Sequence, residues 1–115
     1  MEERQNVKIL MELGYNFEEI LEIQGFRFGL ESTFRYNISP ENAARMHKIF
    51  GNDYSVAGIV YGFINEYYKR IDYKENEKAV SSDIIVGELE ENLDFWREEM
   101  LKNFKDIIED GRKIE

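Results

Sequence analysis

Seven carboxylates crowd the stretch from Asp83 to Glu99 (Asp83, Glu88, Glu90, Glu91, Asp94, Glu98 and Glu99), and Arg97 is the one cation among them. The local net charge is −6, out of −9 for the whole chain of 115 residues. Carboxylates at this density are open to two chemistries. Those four apart on a helix, such as Glu90 and Asp94, stand about 6 Å from one another. That is close to the spacing of phosphates along a nucleic-acid strand, so such a face can occupy a basic groove. The same pair, or Glu18 and Glu22, can also hold a hard divalent cation. Cation sites of that kind draw on an oxygen-rich loop, and no such loop accompanies these residues. A solvated helix face is the simplest account. Acids favour the N-terminal half of a helix and bases its C-terminal end, where Lys102, Lys105, Arg112 and Lys113 stand.

Other chemistry is sparse. His47 is the one histidine, so no two-histidine metal site exists within the chain, and there is no cysteine for thiolate chemistry. Ser39, His47 and Asp53 assemble into a triad only on paper, since any chain with one histidine permits that. No phosphate-cradling glycine loop, dinucleotide turn or nucleophile elbow appears. We therefore expect no catalytic residues, no metal and no cofactor, and a non-enzymatic protein.

These residues must be carried by helices. Residues 4–13 and 17–24 show helical apolar spacing, with Gly14 and Gly25 as stops, and they make 1–37 a helical hairpin. Residues 29–36 are ambiguous between helix and extended loop. Ser39-Pro40-Glu41 is a helix start, with a capping hydroxyl, a proline in the first turn and an acid at the positive dipole end. That helix runs to Phe50. Another spans roughly 53–71 with a core face of Val56, Ile59, Val60, Phe63, Tyr67 and Ile71. After a polar connection over 72–81, residues 82–114 form a long acidic amphipathic helix. Its stripe is Ile85, Leu89, Leu93, Trp96, Met100, Phe104, Ile107 and Ile114. The expectation is all-α: one compact domain over residues 1–115, a bundle of five to six helices with a long C-terminal helix.

Two further features carry functional expectations. The stretch Leu13-Gly14-Tyr15-Asn16-Phe17-Glu18-Glu19-Ile20-Leu21-Glu22-Ile23-Gln24-Gly25 resembles the second helix and turn of helix-turn-helix regulators. The resemblance covers 13–37 and implies a DNA-reading helix using Arg27, Thr33 and Arg35. It departs from that family at Leu21, where alanine is usual, and in having few cations after the turn. On the helix over 53–71, Tyr54, Tyr61 and Tyr68 form a row at intervals of seven, with Gly58, Gly62 and Asn65 beside it. This row lies away from the Val56/Ile59/Phe63 face. Tyrosine suits interfaces and glycine allows close helix approach, so the row is either a self-association surface or a second buried face.

Bulk properties narrow the partners. A sequence pI near 4.7 opposes direct binding to nucleic acid or anionic lipid. No apolar run reaches the length of a membrane span, and the opening Met-Glu-Glu-Arg is no secretory signal. With no cysteine, the chain fits a reducing, cytoplasmic setting. The expected function is a non-enzymatic interaction module that binds a basic protein surface through Asp83, Glu90, Glu91, Asp94 and Glu98, with a homodimer as a further possibility. In type it resembles the accessory inhibitors of phages and mobile elements, including anti-restriction and anti-CRISPR DNA mimics. The alternative is a helix-turn-helix DNA-binding transcriptional regulator.

Overall fold

Three of the helices begin at a capping side chain: Asn16, Ser39 or Asp53. The computed structural model describes the backbone of residues 2–71 and 81–114 and the side chains of 4–70 and 81–103. The described chain is all-α, with α1 at Glu2–Glu12, α2 at Phe17–Phe34, α3 at Pro40–Phe50, α4 at Tyr54–Ile71 and α5 at Ser82–Ile114. Ser39 caps α3 by accepting the Asn42 N–H at 3.2 Å. Asp53 caps α4 through the Val56 N–H at 3.2 Å. At α2 a reciprocal box forms: Asn16 accepts the Glu19 N–H at 2.9 Å, and Glu19 accepts the Asn16 N–H at 3.0 Å. Gly14 and Gly51 end α1 and α3 at φ of 97° and 62°, a region that costs glycine little.

The helices form layers. α2 packs on α3 and α4, α5 packs on α3 and α4 from another side, and α1 lies against α2 and α3. Leu10, Ile23, Leu30, Ile38, Met46, Ile64, Ile85 and Leu89 fill the space between them with almost no exposure. The buried stripe of α5 runs through Ile85, Leu89 and Trp96, with Leu93 and Met100 half-buried, as the spacing predicts. Phe104, Ile107 and Ile114 lie outside the described side chains, as does Ile71.

Two expectations fail. Gly25 does not end a helix, because α2 continues through it to Phe34. A Cβ at Gly25 would meet nothing within 4 Å, so it is an exposed helix-interior glycine, and the ambiguous 29–36 stretch is mostly the second half of the same helix. The hairpin of residues 1–37 therefore consists of α1 and one long α2.

The facing of α4 is also reversed. Val56 and Ile59 are 37% and 53% exposed, Tyr67 is 42% exposed and Phe63 is half-buried. Of the predicted core face, Val60 is fully buried. The row proposed for self-association faces inward instead. Tyr61 is 7% exposed and Gly58 is buried. The Phe34 ring sits on Gly58, the Tyr36 hydroxyl on Gly62, and the Tyr54 ring on Gly29 of α2. Asn65 and Tyr68 are half-buried, and Tyr68 packs 6.2 Å from the Trp96 ring. Phe34 stacks on Tyr36 at 5.7 Å and Tyr36 meets Tyr61 at 4.8 Å. Among these rings burial is the main reason the Tyr36 hydroxyl holds its proton above the usual range, with Tyr61 and Glu66 adding to it. The row is thus consumed within one chain.

The two kinds of glycine separate in a stability assay. Gly58→Ala drives a methyl into the Phe34 ring and should cost about 1–3 kcal/mol. Gly25→Ala adds a better helix former in open space and should stabilise by up to about 1 kcal/mol. Urea melts of the two variants check both signs. A destabilised Gly25→Ala would restore a turn at that position.

Candidate interaction site on the fifth helix

The acidic helix opens with carboxylates that are already engaged. Asn42 on α3 is only 5% exposed, and both ends of its side chain are satisfied. Its Nδ2 donates to Asp83 at 2.8 Å and its Oδ1 accepts from Arg45 at 2.9 Å. Arg45 in turn grips Glu90 with two donors, Nε at 3.1 Å to Oε2 and a second nitrogen to Oε1. The hydrogen bond from Arg45 holds the Glu90 carboxyl below the usual carboxylate range, and the same bond raises Arg45. Asp83 and Glu90 therefore clamp α5 to α3. Both side chains of the ion pair are more than a third exposed, so solvent screens it and its contribution is small.

Glu88 is engaged too. Its Oε2 accepts from Asn92 Nδ2 and from Trp96 Nε1, each at 3.0 Å. The Trp96 bond is the main reason this carboxyl lies below its ordinary value, with Asn92 next; burial opposes both, and a bond from Tyr68 adds a smaller lowering. Asn92 has left helical geometry, at φ −130° and ψ 35°. Asparagine competes for hydrogen bonds with the helix backbone, and here its amide is turned to Glu88. Eight residues span about 12 Å of straight helix, so the bend helps bring Trp96 within reach of Glu88. Trp96 is 3% exposed and lies edge-on to Phe63, Tyr67 and Phe95 at 6.3, 5.0 and 5.3 Å.

What remains open flanks the bend. Glu91, Asp94 and Glu98 are exposed, and none has a side-chain partner among the described residues. Phe95, 53% exposed, stands among them. Residues Glu90 to Phe95 line an open depression of about 390 Å³. Five acids were expected to act together on this face; the structure assigns Asp83 and Glu90 to internal bonds and leaves three free, with an aromatic added. Spacing along α5 missed Phe95 because it falls off the buried stripe.

The other candidates are dispersed. Ser39 and Asp53 cap different helices. His47 Nε2 pairs with Asn52 Oδ1 at 2.8 Å, stands 3.8 Å from a Glu22 oxygen and packs edge-on to Phe26. The paper triad is not assembled. Among the described residues no three acids, histidines or cysteines converge as a metal site, and no helix is long and apolar enough to cross a membrane. The DNA-reading alternative has no turn to rest on. Arg27 lies within continuous α2 and donates to the Ile38 carbonyl, Thr33 sits in the same helix, and Arg35 is its left-handed C-cap at φ 60°.

Glu88 gives an acid-side signature. Its folded pKa is below its unfolded value, so its contribution is fully present above about pH 4.3 and is lost as pH falls through the folded value. Glu90 acts in the same direction. Trp96, the one tryptophan, makes fluorescence a local readout. An acid titration should show Trp96 changing as pH falls through the lowered Glu88 value. Glu88→Ala, which leaves the indole N–H without its acceptor, should cost about 1–3 kcal/mol at neutral pH and blunt that change.

Comparison with protein-family models, curated proteins and solved structures finds no significant match for this chain.

Proposed function

We propose that this chain is a non-enzymatic interaction protein whose α5 face binds a basic surface of a partner protein. That surface is one that otherwise holds nucleic acid, as for the accessory inhibitors of phages and mobile elements. One observation carries the reading: Phe95 stands open among Glu91, Asp94 and Glu98, three carboxylates with no partner of their own among the described residues. An exposed aromatic ringed by unpaired charge combines the two elements of a docking site. The ring supplies desolvated area at low entropy cost, and the carboxylates supply steering and register. A chain of net charge −9 is attracted to a basic surface from a distance. Asp83 and Glu90 serve this function indirectly, by fixing the helix that presents the other three.

The test is a pull-down from the native host with mass spectrometry, followed by calorimetry on the recovered partner. Replacing Glu91, Asp94 and Glu98 with their amides should weaken binding at least tenfold at low salt, about 1.4 kcal/mol. Phe95→Ala should speed dissociation without altering salt dependence. Raising salt should weaken the parent chain far more than the amide variant. Undiminished binding by the amide variant at low salt would sink the proposal.

A further inference from the structure

The twelve residues from Tyr54 to Asn65 carry no charge, in a chain whose net is −9. On its outer side this stretch presents Val56, Ile59 and half-buried Phe63, and the stripe continues to Tyr67. Steps of three and four residues make it a seam of the kind two helices share. At its far end the seam opens into a cleft of about 320 Å³ between α4 and α5, where Phe63 and Tyr67 meet Glu66, Arg70, Glu99 and Asn103.

We propose that a second copy of the chain covers this seam, with the two α4 helices antiparallel about a two-fold axis near Tyr61 and Gly62. Charge selects the occupant. Two bodies of charge −9 repel, and the approach is least opposed where neither bears charge. A basic partner finds little to pair with along the same twelve residues. The order of residues is also self-complementary. In this alignment Val56 falls opposite Tyr67 of the other copy and Asp53 opposite Arg70, with Ile59 one residue from Phe63, each twice by symmetry. Asp53 uses one carboxylate oxygen to cap α4. Its other oxygen, and Arg70, have no side-chain partner among the described residues. Ile59 of each copy then reaches the cleft beside Phe63 and Tyr67 of the other.

From Val56 to Arg70 the seam is about 21 Å long at 1.5 Å per residue. One pair of helices of that length sits at the low end of specific interfaces. The dimer is accordingly concentration-dependent rather than obligate. It uses a different helix from the acidic face, so the two proposals fail independently.

Sedimentation equilibrium of the full chain from roughly 10 µM to 1 mM covers the range expected for a small interface. The weight-average mass should climb from 13.7 kDa towards twice that value. Ile59→Asp should remain monomeric throughout, and because Ile59 is 53% exposed its circular dichroism in dilute solution should match the parent. Arg70→Glu, a surface change, should weaken the dimer about tenfold at low salt by placing a carboxylate against Asp53. A parent chain that stays monomeric over the whole range overturns the proposal. So does an Ile59→Asp chain that dimerises like the parent. Should Ile59→Asp fail to fold, unchanged dimerisation by Arg70→Glu overturns it instead.

Discussion

A glycine inside a helix costs roughly 1 kcal/mol relative to alanine, and at Gly29, Gly58 and Gly62 an aromatic side chain occupies the space a methyl would need. The three contacts tie one region together. Phe34 and Tyr36 come from the end of α2 and the segment after it, and both reach α4; Tyr54 reaches back from α4 to α2. Because rings are rigid and α4 can turn only one glycine-lined side to them, they fix its rotation about its own axis. Tyr61 then points inward, where its hydroxyl donates to Ser82 at 3.1 Å at the start of α5. The opposite side, with Val56 and Ile59, has to face out. Aromatic packing on one side of α4 thus creates the bare seam on the other.

The same logic of engaged and unengaged groups applies to charge. Counted along the sequence, the first half of α5 is uniformly acidic. In three dimensions, with Glu99 turned to the cleft beside α4, the other six carboxylates divide into two sets. Asp83, Glu88 and Glu90 have specific donors in Asn42, Trp96, Asn92 and Arg45, and they hold α5 against α3 and fix its bend. Glu91, Asp94 and Glu98 lie beyond reach of any donor described. The division is set by which carboxylates face α3 and α4. The buried Ile85/Leu89/Trp96 stripe docks the helix, and these bonds give the carboxylates that face the body partners, leaving charge unpaired towards solvent.

Much of the architecture was legible in the residue order because it rests on local rules. Ser39-Pro40-Glu41 starts a helix by capping chemistry alone, and the Ile85/Leu89/Trp96 stripe is buried because its period is helical. What was not legible depended on partners distant in sequence. Gly25 reads as a stop, but a glycine ends a helix only where the backbone adopts a left-handed turn, and that turn falls at Arg35. The facing of α4 was misassigned because both its sides are apolar. Exposed Val56 and Ile59 are matched in size by buried Val60 and Ile64, so apolar size does not choose the face; the rings that match Gly58 and Gly62 do, and they lie in a segment with no clear periodicity of its own. At the candidate site the acids were visible as a cluster. Which of them were free was not, since Arg45 is 45 residues from Glu90.

Two surfaces of different electrostatic character therefore sit on neighbouring helices: α5 charged and bent, α4 uncharged and apolar over Tyr54 to Asn65. This arrangement separates their responses to the solvent. The attraction proposed between α5 and a basic partner would be Coulombic between exposed groups and would fade as the screening length drops from about 10 Å at 0.1 M salt to about 3 Å at 1 M. The proposed pairing through α4 would gain from apolar burial, which salt does not screen; salt would screen both the net charge of −9 on each copy, which opposes pairing, and the smaller attraction of Asp53 for Arg70, which favours it. Ionic strength thus pushes the two associations in opposite directions. The two proposed surfaces do not mask one another, because the rings seated on Gly58 and Gly62 turn the uncharged seam outward, and α5 keeps its unpaired carboxylates around the bend, on Glu91, Asp94 and Glu98.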